Sequence, residues 1–233
     1  MVDLGTLTGS SGYSIAAAIT SKGVIAGESA LSNGDVNLVL WTKSKGEYHI
    51  HNEGHTPQAP YIYVYDINEI LQVTGVAYLG KKGVNYHGFL WSKASGWTDL
   101  KPLPGGTDSY GVWINNSGVI AGQSTSTKYP NGVVVYWDTS GIHSIGTLPG
   151  GTSSAPGFIS DTGQILGDST VTGGASHAFI WTKGKGMQDL NNMIPKNSGW
   201  VLHHASSISN SGQIVGYGTI NGVNQAFLLI PKP

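Results

Sequence analysis

A pattern repeated five times, a glycine-rich composition low in charge, and four strand-like segments in each repeat predict an all-β chain folded as a five-bladed β-propeller. The pattern is Ile, three residues, usually Gly, then x-[Ile/Val]-x-Gly. Its copies are Ile19-Gly23-Ile25-Gly27, Ile67-Leu71-Val73-Gly75, Ile114-Gly118-Ile120-Gly122, Ile159-Gly163-Ile165-Gly167 and Ile208-Gly212-Ile214-Gly216. The final glycines stand 48, 47, 45 and 49 residues apart, a period that fits propeller blades. Of 233 residues, 35 are glycine and 11% are charged, which suits short strands and tight turns better than helices.

Each repeat reads as four strands. Strand one ends at the Ile, as in Tyr110-Gly111-Val112-Trp113-Ile114. A turn such as Asp161-Thr162-Gly163 or Asn210-Ser211-Gly212 supplies the positive φ of a hairpin and leads into strand two. Strand three is apolar on both faces, as a strand between neighbouring blades should be: His87-Gly88-Phe89-Leu90-Trp91 and His177-Ala178-Phe179-Ile180-Trp181 are examples. Strand four follows, typified by Thr98-Asp99-Leu100 and Gln188-Asp189-Leu190. The fifth repeat reaches Pro231-Lys232-Pro233 without a strand four, whereas Asp3-Leu4-Gly5-Thr6-Leu7 matches one. The expectation is a single domain whose N-terminal strand completes the last blade and closes the ring. Its blades cover about residues 12–57, 58–106, 107–151, 152–197, and 198–233 with 1–11.

The net charge of −1, with no basic run, argues against nucleic-acid partners. No apolar stretch approaches the roughly 20 residues of a membrane span, so membrane insertion is not expected. The N-terminus does not read as a signal peptide; the protein either stays inside the cell or has lost a leader. There is no cysteine, hence no disulfide or thiolate metal site.

By analogy with other propellers, a ligand would bind where the segments leading into strand one and the loops between strands two and three gather. The leading-in segments carry Tyr13, Tyr61, Tyr63, Asp108, Tyr110, Trp200, His203 and His204. Just after the marker glycines stand Glu28, Val76, Gln123, Asp168 and Tyr217. Aromatic faces with hydrogen-bonding groups and little charge suit carbohydrate, so the leading reading is non-catalytic recognition of carbohydrate or another cell-surface ligand, with Tyr13, Tyr61, Tyr110, Trp200, His203 and Gln123 as the ligand-binding candidates. The competing reading is that several of these tyrosines only fill the channel between blades. Trp41, Trp91, Trp137 and Trp181 end strand three and read as packing between blades.

His49, His51 and His55 are the metal candidates, because alternate histidines share a strand face; an exposed outer strand is the plainer account. No cofactor is expected. If the chain were a glycoside hydrolase or lyase, Glu28 and Asp168 would be its carboxylate pair. A third reading is a structural or adhesive module with protein partners, and the oligomeric state is open.

The motifs His177-Ala178-Phe179-Ile180-Trp181, Gly186-Met187-Gln188-Asp189-Leu190, Leu148-Pro149-Gly150-Gly151-Thr152 and Ser209-Asn210-Ser211-Gly212-Gln213-Ile214-Val215-Gly216 resemble the HAF-repeat family of bacterial extracellular repeat proteins. The resemblance runs over the whole chain and is closest from about residue 100 onward. It implies an exported or surface-associated repeat protein and brings no catalytic set with it. The first two repeats depart from the pattern. Glu47-Tyr48-His49-Ile50-His51 lacks Asp-Leu, residues 52–60 replace the Pro-Gly-Gly-Thr turn, and Glu69-Ile70-Leu71 lacks the turn glycine.

Overall fold

The computed structural model describes residues 1–80 and 85–231; residues 81–84, Lys232 and Pro233 lie outside that range. The described chain is all-β, with five antiparallel sheets, four of four strands and the last of three. The first sheet holds β1 (Ser14–Ile19), β2 (Ile25–Ala30), β3 (Val36–Ser44) and β4 (Glu47–Gly54). The second holds β5 (Ile62–Ile67), β6 (Gln72–Leu79), β7 (Asn85–Ser92) and β8 (Gly96–Leu100). The third is β9 (Ser109–Ile114), β10 (Ile120–Ser124), β11 (Val133–Asp138) and β12 (Gly141–Gly146). The fourth is β13 (Ser154–Ile159), β14 (Ile165–Thr170), β15 (Ser176–Thr182) and β16 (Gly186–Asp189). The fifth is β17 (Trp200–Ile208), β18 (Ile214–Ile220) and β19 (Val223–Leu229). Neighbours in sequence pair in every sheet. Two compact units emerge: Met1–Pro102 with Thr107–Gly118, and Leu103–Gly106 with Val119–Pro233.

The marker glycine has a steric cause. Strand one is bulged opposite it, with register shifts at Ala16/Ala18, Val64/Asp66 and Pro156/Phe158. The bulge drives a carbonyl toward the partner strand. A Cβ on Gly27, Gly75, Gly167 or Gly216 would overlap the carbonyl oxygen of Ile15, Tyr63, Ala155 or His204 respectively. The turn glycine answers a different need. Gly23, Gly118, Gly163 and Gly212 have φ of 78°, 77°, 79° and 81°. Leu71 stands at that position in the second repeat and keeps φ at 60°. A leucine there costs about 1–2 kcal/mol, part of which glycine returns through its looser unfolded chain. Leu71→Gly is therefore expected to stabilise by about 0.5–1 kcal/mol, read as a rise in denaturant midpoint at constant slope.

Within each unit, one sheet packs on the first strand of the next. Ala26, Leu38 and Leu40 share a core with Ile62, Val64 and Ile67 of β5. Leu166, Ala178 and Ile180 share one with Leu202 and Ala205 of β17. Trp91 joins the core shared by the first two sheets, and Tyr136 of the third meets Trp181 of the fourth at 5.3 Å, so these two tryptophans pack between sheets; Trp41 and Trp137 are buried.

A recurring serine fixes the linkers. Leu103 N donates to Ser124 Oγ at 2.8 Å and Leu148 N to Ser169 Oγ at 2.9 Å. Leu7 N makes the same bond to Ser29 Oγ at 3.0 Å. Ser14 Oγ donates to Gly5 O as Ser154 Oγ does to Gly146 O, both at 2.8 Å. The segment from Gly5 onward thus has the geometry of a linker and is held by the first sheet. Asp3-Leu4-Gly5-Thr6-Leu7, expected as a strand of the last sheet, carries no strand, and that sheet stops at β19.

Positions buried elsewhere are open in the terminal sheets. Ile19 is 62% exposed, while its counterparts Ile67, Ile114 and Ile159 are at most 6%. Val215 is 44% exposed, against 0% for Ala26, Thr74, Ala121 and Leu166. Leu228 is 54% exposed, against 6% for Leu40 and 9% for Ile180.

Candidate functional site

The first unit gathers tyrosines. Tyr61, Tyr63 and Tyr65 alternate along the approach to β5 and along it, so the period of two turns their rings to one face. Tyr78 at the end of β6 pairs with Tyr86 at the start of β7. Ring centroids run Tyr63–Tyr78 5.4 Å, Tyr78–Tyr86 4.7 Å and Tyr86–Tyr110 5.8 Å, the last pair stacked. Tyr13, Tyr61, Tyr63 and Tyr65 are substantially exposed. Tyr13, Tyr61, Tyr63 and Tyr78 line a small cavity of about 100 Å³. Asp108 Oδ1 accepts from Tyr86 N at 3.0 Å and holds the edge of this row.

Burial pushes the Tyr13, Tyr65 and Tyr110 hydroxyls up, and nearby Glu28 or Asp108 adds to it. Tyr78 is pushed up to about 12, by burial first and then by Tyr63. These rings remain neutral phenols that offer a π face and a hydroxyl.

Beneath them lies Glu28, only 2% exposed, whose Oε2 accepts from Val64 N at 2.7 Å. Burial raises its carboxyl to about 7, and the Val64 N–H works the other way. The folded protein holds this proton more tightly than the unfolded chain. The stability it contributes is full below about pH 4.5 and is lost as pH rises through about 7. Glu28→Gln is expected to flatten the fall in Tm between about pH 5 and 8, which thermal melts across that range check.

In the second unit the equivalent positions also join sheets. Gln123 Nε2 donates to Ser154 O at 2.7 Å. Asp168 Oδ1 meets His204 Nδ1 at 2.7 Å, and its Oδ2 accepts from Ser176 Oγ at 3.1 Å. His204 stacks on the exposed Tyr217 at 5.6 Å. Both His203 nitrogens are engaged, Nδ1 with Ser176 O at 2.9 Å and Nε2 with Thr219 Oγ1 at 3.2 Å. Trp200 packs edge-on against Phe227 and joins the core around Leu202, so it offers no open platform.

Of the ligand candidates, Tyr13, Tyr61 and Tyr110 therefore fall in the tyrosine row. Gln123, His203 and Trp200 are taken up by framework contacts. Tyr65, Tyr78 and Tyr86 belong to the row and were not legible as site residues.

Among the described residues no group of three or more His, Cys, Asp or Glu is placed to hold a metal ion. The histidine trio does not converge. His51 Nε2 bonds Thr42 Oγ1 at 2.7 Å, and His55 Nδ1 bonds Thr56 O at 2.8 Å. His49 is exposed on β4.

No protein-family model matches the chain, and no curated protein matches it. Among solved structures the chain is similar to a triple arginine-to-alanine mutant of AofleA from Arthrobotrys oligospora. Identity is 13% and the TM-score 0.41, over 97% of this chain and 70% of that one.

Proposed function

We propose that the chain is a non-catalytic carbohydrate-binding module of the HAF-repeat type, exported to the cell surface and folded as a closed five-bladed propeller. The observation that carries the binding role is the row of tyrosines in the first unit, four of them exposed. Sugar rings present C–H faces that stack on aromatic rings and hydroxyls that bond to phenols. The small net charge directs the choice to neutral glycans.

Ring closure is supported by the two open faces. Val215 and Leu228 stand where other sheets pack on a following first strand, and Ile19 stands where a first strand receives a preceding sheet. Joining them would bury all three, with Met1–Leu4 running beside β19. The hydrolase reading draws no support from Glu28 and Asp168, because each holds a neighbouring strand.

Binding is tested on a glycan array followed by titration of Tyr61→Ala and Tyr63→Ala. At least one neutral glycan is expected to bind without turnover, and either variant to weaken it about tenfold. Wild-type affinity in both variants would reject the tyrosine row as the site.

A further inference from the structure

We propose a second ligand site in the first unit, a cavity on the flank of the second sheet that takes one neutral sugar ring. The cavity holds about 320 Å³ and is lined by Thr56, Gln58, His87, Phe89, Trp97 and Asp99 among others. It lies where residues 52–60 replace the Pro-Gly-Gly-Thr linker of the later repeats.

Thr56 marks it as built to receive something. The residue is only 7% exposed, and its Oγ1 is buried with no hydrogen-bond partner among the described residues. Buried hydroxyls are almost always paired, since an unpaired one forfeits its hydration without return. Thr56 is among the residues that line the cavity, so an occupant seated against it can supply the missing bond.

The opposite wall carries a matching set. His87 Nδ1 bonds Asp99 Oδ1 at 2.9 Å, which turns the ring so that Nε2 is the second, unclaimed nitrogen. The same couple occurs as His177–Asp189 at 2.7 Å, but there it is framework. Asp189 Oδ1 accepts from Asn191, whose side chain in turn bonds Leu202 N and O. No such chain covers Asp99 among the described residues.

The donor and acceptor balance selects the ligand. His87 Nε2 has no partner among the described residues, the outer oxygen of Asp99 accepts, and Thr56 and Gln58 both donate and accept. Vicinal hydroxyls satisfy this set; an anion would face the Asp99 carboxylate. Leu79, Phe89 and Trp97 form the apolar wall, with Phe89 and Trp97 edge to face at 5.0 Å, and that wall takes a sugar's C–H face. The volume lies at the small end of ligand pockets, enough for one ring.

The site does not depend on the tyrosine row. Its test follows the Trp97 indole N–H by NMR while a panel of neutral monosaccharides is titrated into the intact protein. At least one sugar is expected to shift this signal saturably. Thr56→Val keeps the shape and removes the hydroxyl; it is expected to weaken that sugar about tenfold while Tm holds or rises. Trp97→Ala is expected to abolish binding measured by calorimetry, and Tyr63→Ala to leave the Trp97 response intact. A silent Trp97 signal across the panel overturns the proposal. So does full affinity in Thr56→Val, which makes the orphan hydroxyl a packing feature only. A Trp97 response that vanishes in Tyr63→Ala overturns it too, by assigning binding to the tyrosine row.

Discussion

Val2→Cys/Leu228→Cys is expected to form an intramolecular disulfide on mild oxidation and to raise Tm by roughly 10 °C or more. The pairing follows from the repeat. Leu90 faces Thr98 and Ile180 faces Gln188, each one position before the Asp that faces Phe89 or Phe179. Placing Asp3 opposite Phe227 sets Val2 opposite Leu228. A cross-link enclosing nearly the whole chain is worth about 5 kcal/mol in the loop-entropy account. The absence of native cysteine makes the readout clean. Thiols that stay reduced, or that cross-link only between molecules, would remove closure from the proposed architecture and leave the tyrosine row untouched.

Gly167→Ala is expected to cost about 3–5 kcal/mol, enough to unfold a domain of ordinary stability. The added methyl would overlap Ala155 O, with Gly157 N a further neighbour at 3.0 Å. Both neighbours are backbone of the paired strand β13, which cannot swing away as a flexible side chain would. Gly173→Ala is the control. It has φ of 91° but open space around its Cβ, so only the conformational cost of about 1 kcal/mol applies. Urea melts of the two variants separate a steric from a dihedral need; equal losses would disprove the assignment.

These two glycines show how far the sequence could be read. The five-fold spacing placed nearly every strand, because a repeated pattern averages away the ambiguity of any one copy. The marker glycine stood out by recurrence, yet its cause lay in a bulge on the partner strand, which a linear pattern does not show. The first sheet carried a similar surprise. Strand β4 lacks Asp-Leu, but Asn52 faces Val39 as Asp99 faces Phe89, and its side chain bonds Asn37 at 2.8 Å where the aspartates bond histidine. The departure at Glu69 also has a partner: its carboxylate accepts from Ser21 N at 2.6 Å and Ser21 Oγ at 2.8 Å.

The site was less legible. Tyr61 and Tyr63 announce themselves by alternation on one strand. Tyr78 and Tyr86 reach the same row from the two strands of a different hairpin, so nothing in linear spacing ties them to it. Glu28 looked like chemistry because an isolated acid beside aromatics does. Its burial and its bond to Val64 N turn it into a strut.

The struts all point one way. Glu28 reaches β5, Gln123 reaches β13 and Asp168 reaches β17, each from a second strand to the following first strand. Along these three steps stability passes from neighbour to neighbour, as in a one-dimensional array, and the first, third and fourth sheets lean on their successors. Loss of order should begin where that succession has no next member, in the fifth sheet, and amide exchange should be fastest there unless the first sheet takes up the load.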